Sequence, residues 1–132
     1  MTRTAASAEI AANAPTSPVT LNGGMAMPSW YDITDLTDRA GQACTGIDES
    51  RAEMIELIEE AKAEGIPASR IVVGGFSQGG AMALRAGFTY PKPLAGIVCL
   101  SGWTAEADQF ATRVGSGANA KTPTFVGHGT QD

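Results

Sequence analysis

Three short apolar runs constrain this chain more than any other feature: "IVV" at 71–73, "LAGIVCL" at 94–100 and "TPTFVGHG" at 122–129. They lack the alternation of apolar and polar residues that marks a half-exposed strand, and helix-length stretches separate them. That combination predicts parallel strands buried on both faces, joined by helical crossovers. The expected fold class is therefore α/β, a mostly parallel sheet with helices on both faces. At 132 residues and 43% hydrophobic content the chain can build one core and no second one.

The clearest helix starts near Ile47, where Arg51, Met54, Ile55, Ile58 and Ala61 follow at three- and four-residue intervals. Ser50 and Glu53 have the spacing of a capping box, Asp48 competes with Ser50 as N-cap, and Gly65 with Pro67 supplies the stop. Seven acids lie between Asp48 and Glu64 against Arg51 and Lys62, so the net charge of −5 sits on one solvated helix face. A second helix is expected over 78–88. The Pro-, Gly- and Asn-rich stretch before residue 32 reads as an ordered loop with one short strand at 19–21.

Composition removes several function classes. The acidic balance opposes binding to a phosphate backbone, so nucleic acid is not an expected partner. Cys44 and Cys99 are far apart and form no CxxC pair, which opposes a disulfide scaffold or a zinc site and fits a reducing cytoplasm. No apolar run approaches the roughly 18 residues a membrane span needs. Asp32, Asp35 and Asp38 repeat every third residue but lack the Gly turn and closing Glu of a calcium loop, so they read as solvated caps and no metal is expected.

The run "RIVVGGFSQGGAMALRAG", 70–87, places Ser77 where the first apolar strand becomes the alanine-rich helix. Gly75-Phe76-Ser77-Gln78-Gly79 matches G-x-S-x-G, a weak signal alone in a chain with 16 glycines. Its position between strand and helix is the setting a nucleophile elbow requires. Side chains two residues either side of such a serine would collide across the turn, and Gly75 and Gly79 are expected to remove that collision. The helix N-terminus then points unpaired amides, that of Gln78 among them, at the place where a tetrahedral oxyanion forms.

Four blocks, "APTSPVTLNGGMAMPSWYDI", "GIPASRIVVGGFSQGGAMAL", "LAGIVCLSGW" and the closing "HGTQD", resemble the acyl-protein thioesterase, carboxylesterase and lysophospholipase family of α/β-hydrolases. The resemblance runs in order from Asn13 to Asp132. It implies a serine hydrolase of carboxylic esters or thioesters that uses no cofactor, with Ser77 as nucleophile and Asp132 as the acid that orients the base. It places the loop of Met25, Met27 and Trp30 beside the acyl channel, where flexible thioethers suit irregular apolar ligands. The same resemblance sets residues 1–12 apart as an unmatched, disordered start. It also points to earlier strands with an H-G-x-G-D-type oxyanion loop, and to a later histidine-bearing segment, that are not in these residues. The expectation is a central portion of the domain, 13–132, inactive as it stands.

His128, the one histidine, precedes the acid and ends a strand; it reads as a structural residue held by a backbone hydrogen bond, not as the base. Ser101 also ends a strand, but no helix-opening glycine pair follows it, so its role is structural. The alternative to an ester or thioester hydrolase is a non-catalytic remnant or partner-binding module that keeps the centre of the fold. A different hydrolysis on the same scaffold, such as amide cleavage, is also compatible with the fold.

Overall fold

The computed structural model describes residues 10–39 and 41–130. Two strands, β1 (Thr16–Val19) and β2 (Met25–Pro28), pair antiparallel with Val19 opposite Met25. The expected strand at 19–21 is thus one arm of a hairpin that stops at Val19. Asn22-Gly23-Gly24 is its turn signal: Gly23 and Gly24 take φ of 66° and 84°, and the Gly24 amide donates to Val19 O at 3.0 Å.

Helix α1 (Ile47–Ala63) follows the predicted periodicity and buries Ile47, Ile58 and Ala61. Its start differs from the capping-box reading. Gly46, at φ 96°, occupies the N-cap with no side-chain cap, and Ser50 is buried with its hydroxyl donating to Trp30 O. The acidic face is solvent-exposed as expected, although Asp48 and Glu59 also accept bonds from Arg85 and Tyr90.

The sheet holds β3 (Val72–Phe76), β4 (Gly96–Leu100) and β5 (Thr124–Gly127) in the order β3-β4-β5, all parallel. Helix α2 (Gln78–Thr89) connects β3 to β4 and is buried from Gly80 to Gly87. It lies between the sheet, α1 and a short helix α3 (Ala107–Val114) that sequence periodicity does not reveal. Eight residues give little pattern to read, and α3 is anchored through Phe110, edge-on to Phe88 at 5.7 Å.

Two side chains tie these elements together. Arg85, only 2% exposed, reaches Asp48 of α1 and Glu106 at the start of α3, each at 3.0 Å. Asn119, fully buried, accepts from the Leu94 amide and Thr122 Oγ1 and donates to Tyr90 O and Lys92 O. Every hydrogen-bonding position of that amide is used, which is what a buried polar group requires.

One expectation about the sheet needs correction. Val73, Ile97 and Cys99 are covered by the helices, but Val72, Phe76 and Phe125 are 59%, 69% and 62% exposed. The described residues bring helices to one face only, so the sequence pattern of a doubly buried sheet is met here on one side. No described helix is long and apolar enough to cross a membrane.

Candidate active site

Ser77 joins β3 to α2 with φ 57° and ψ −122°, a strained conformation for a residue with a side chain. Three contacts hold it there. Its amide donates to Leu100 O at the end of β4 at 2.8 Å, and its carbonyl accepts from the Gly80 and Ala81 amides at 2.9 and 3.2 Å. The turn is sharp enough that a Cβ on Gly75 would run into the Gly79 carbonyl and sit 2.8 Å from the Gly80 nitrogen.

The symmetrical role expected for Gly79 is not found. A Cβ there would meet nothing nearer than Trp30 Nε1, at 3.9 Å. The second tight position is Gly80, where a Cβ would lie 3.0 Å from Cys99 Sγ and 3.2 Å from Gly75 O. A third is Gly102, just past β4, whose Cβ would lie 2.5 Å from Cys99 Sγ and 3.0 Å from Ser77 O. The elbow is therefore seated on glycines from two segments. The second glycine of each Gly-Gly pair and the "SGW" after β4 carried that signal in the sequence.

Because Gly80 is the first amide of α2 to find a backbone acceptor, those of Gln78 and Gly79 are left without one, as at any helix start. Together with the helix dipole they make the turn a place where negative charge is stabilised. Cys99, directly beneath, is 1% exposed, and burial raises its thiol pKa, as it does that of Cys44.

The Gln78 side chain does something sequence reasoning missed. Its Oε1 accepts from the Trp30 amide at 2.7 Å, while Nε2 donates to Tyr31 O at 2.9 Å and to Ser29 Oγ at 3.2 Å. It thereby pins the loop after β2 against the start of α2. Trp30, half-buried, packs beside the core cluster of Tyr31, Cys44 and Met82 and is brought to Gly79. Met25 and Met27 lie on exposed β2, and Met27 Sδ accepts from the side-chain Nδ2 of Asn22. Burial raises the Tyr31 hydroxyl above its ordinary range, so it stays protonated beneath this loop.

His128 stands one residue beyond β5 and is exposed, and the backbone hydrogen bond expected for it is not seen among the described residues. Asp132 lies outside the described residues. Ser101 takes φ 51°, and its amide donates to Gly127 O at 2.7 Å, joining the ends of β4 and β5. Trp103 carries Arg39 over its ring at 5.2 Å and packs on the Tyr31 cluster. Asp32, Asp35 and Asp38 cap the amides of Thr20, Thr37 and Gly41, and no metal-binding cluster is present among the described residues.

The family model described as Phospholipase/Carboxylesterase matches residues 3–132. The chain is 44% identical to the acyl-protein thioesterase 1 of Schizosaccharomyces pombe, over 91% of this chain and 53% of that one. It is 47% identical to the acyl-protein thioesterase 1 of Yarrowia lipolytica, over 90% and 52%. Among solved structures, Arabidopsis thaliana SOBER1 superposes with a TM-score of 0.78 at 33% identity, covering 91% of this chain and 58% of the other. Zea mays acyl-protein thioesterase 2 gives 0.69 at 28%, covering 88% and 55%. The chain spans about half the length of the curated relatives it matches.

Proposed function

Since this chain belongs to the phospholipase/carboxylesterase family of α/β-hydrolases, we propose that it carries the nucleophile and one oxyanion donor of a serine hydrolase acting on carboxylic esters or thioesters. The observation that carries this reading is Ser77 at φ 57° on a strand-to-helix turn that only a glycine at 75 permits. A serine that merely capped α2 would need neither the strain nor the bare neighbour, and Ser77 makes no side-chain cap.

In the proposed reaction a histidine takes the Ser77 proton as Oγ attacks the acyl carbonyl carbon, and the Gln78 amide binds the oxygen that becomes negative. Collapse expels the alcohol or thiol, which leaves with that proton. Water then cleaves the acyl-serine to release the carboxylic acid and restore the hydroxyl. Asp132 would hold the histidine's tautomer. Trp30, with Met25 and Met27 on β2, would flank the acyl chain. The substrates of the relatives, named as acyl-protein thioesterases, support a thioester leaving group as well as an oxygen ester.

The 132 residues assayed by themselves should be close to inactive, because their one histidine, exposed His128, is not the base in this reading. The test is therefore a graft in which they replace the matching 120 residues of the Yarrowia lipolytica relative. Hydrolysis of p-nitrophenyl octanoate and fluorophosphonate labelling, both lost in Ser77→Ala, support the reading. A folded graft whose activity ignores Ser77→Ala overturns it. A partner-binding role is favoured by one observation, the uncovered apolar face of Val72, Phe76 and Phe125. A folded graft with no hydrolysis at all would support that role instead.

A further inference from the structure

The Gln78 amide is the only side chain from α2 that bonds the backbone of the loop after β2 among the described residues, and it does so with both of its ends. Oε1 takes the Trp30 N–H and Nε2 gives to Tyr31 O, so one primary amide satisfies two consecutive loop residues as a neighbouring strand would. The opposite side of Trp30 is fixed as well, since its carbonyl accepts from buried Ser50 of α1. Ser29 Oγ completes the clamp by donating to Tyr31 O at 2.6 Å. Trp30 is therefore held by hydrogen bonds on both its N–H and its C=O, between two helices.

Gln78 is also the residue whose main-chain N–H follows Ser77 and finds no helical acceptor. Its backbone and its side chain thus serve opposite ends of the same site. We infer that Gln78 is a positioning residue that couples the Trp30 wall to the oxyanion amide, so that how an acyl chain seats against Trp30 sets how well the carbonyl oxygen is bound. This rests on the serine-hydrolase reading. A lever of this kind works because the two groups share one residue: a displacement of Trp30 pulls on Oε1 and tilts the first turn of α2, and sub-ångström misplacement of an oxyanion donor is enough to lower turnover. The selectivity it produces grows with acyl length, because a short acyl group does not reach the indole.

Two variants separate the tether from general packing. Gln78→Met keeps the volume and removes both hydrogen-bonding ends; Gln78→Glu keeps the acceptor for Trp30 and loses the donor to Tyr31 O. In the 132-residue chain, amide hydrogen exchange at Trp30 should quicken at least tenfold in Gln78→Met and stay near the parent rate in Gln78→Glu. The residue-78 amide resonance should shift in Gln78→Met along with that of Trp30. In the graft, Gln78→Met should lower kcat/KM at least tenfold more for an octanoyl than for an acetyl ester, with kcat carrying most of the difference, and Gln78→Glu should fall between. Unchanged Trp30 exchange in Gln78→Met, or equal losses at both acyl lengths, overturns the coupling. If the parent graft shows no Ser77-dependent hydrolysis, the hydrolase reading fails by itself, and the exchange experiment still decides whether the tether exists.

Discussion

A side chain on Gly75 would collide with the carbonyl of Gly79, yet a side chain on Gly79 would meet only Trp30 Nε1, at 3.9 Å. The elbow is asymmetric, and the asymmetry is measurable. Gly75→Ala should destabilise the fold by roughly 2–4 kcal/mol, since backbone must move to admit one methyl group. Gly79→Ala should be neutral or stabilising by up to about 1 kcal/mol, because it replaces a helical glycine where a methyl group makes only an ordinary van der Waals contact. Denaturant midpoints of the two variants test this directly: similar losses would mean that the turn is not pinched at Gly75.

Arg85 gives a second asymmetry. It is buried and paired with Asp48, 74% exposed, and with Glu106, 20% exposed. Removing the arginine leaves Glu106 without its closest cation and an arginine-sized void inside α2, so Arg85→Ala should cost roughly 3–5 kcal/mol. Asp48→Asn removes a solvated partner and should cost less than about 1 kcal/mol, with Glu106 still in place. Thermal unfolding of both variants checks the ranking, and equal shifts in Tm would show that the pair with Asp48 is the important one.

Much of this architecture was readable because it is written in short-range patterns. The periodicity from Ile47 to Ala61, the apolar runs at 71–73 and 94–100, and the strand-to-helix placement of Ser77 each depend on neighbours within a few residues. What escaped depends on residues far apart in sequence. Ser50 has the spacing of a cap but was drawn instead to Trp30, twenty residues earlier, by burial. Asn119 sits in a stretch with no pattern and closes a clamp on residues 90–94. Gln78 was legible only as a backbone donor, because nothing near it in sequence shows that its side chain faces residues 29–31. The uncovered sheet face illustrates the converse: an apolar run states what a strand can be covered by, not whether the covering element lies within the same stretch of chain.

Acid should loosen the hairpin before the core. The Thr20 hydroxyl and amide both donate to the Asp32 carboxylate, at 2.5 and 2.8 Å, and these bonds hold its pKa below the ordinary value. A depressed folded-state pKa means that the unfolded chain binds the proton more readily. The stabilisation is therefore fully present above the unfolded value, about 4, and is lost as pH falls through the lower folded one. Asp35, held the same way by Thr37, adds in the same direction. The denaturant midpoint should fall as pH drops below about 4, and Asp32→Asn should flatten that slope while leaving the near-neutral midpoint only slightly reduced. An unchanged slope in Asp32→Asn would mean that other carboxylates carry the acid response.

The last expectation concerns the 132 residues assayed without any graft. A serine hydroxyl is a poor nucleophile near neutral pH unless a base removes its proton, and loss of one triad member typically lowers turnover by about 10⁴ to 10⁶. The one histidine available, His128, is exposed beyond β5, and no hydrogen bond among the described residues orients its ring. In the proposed reaction the oxyanion donors at the start of α2 would remain, so the expected residue of activity is small but not zero. Hydrolysis of a p-nitrophenyl ester should lie near background, labelling by a fluorophosphonate should be slow, and His128→Ala should change neither. Ser77-dependent turnover that His128→Ala abolishes would instead make that histidine the base and give these residues a complete nucleophile–base pair of their own.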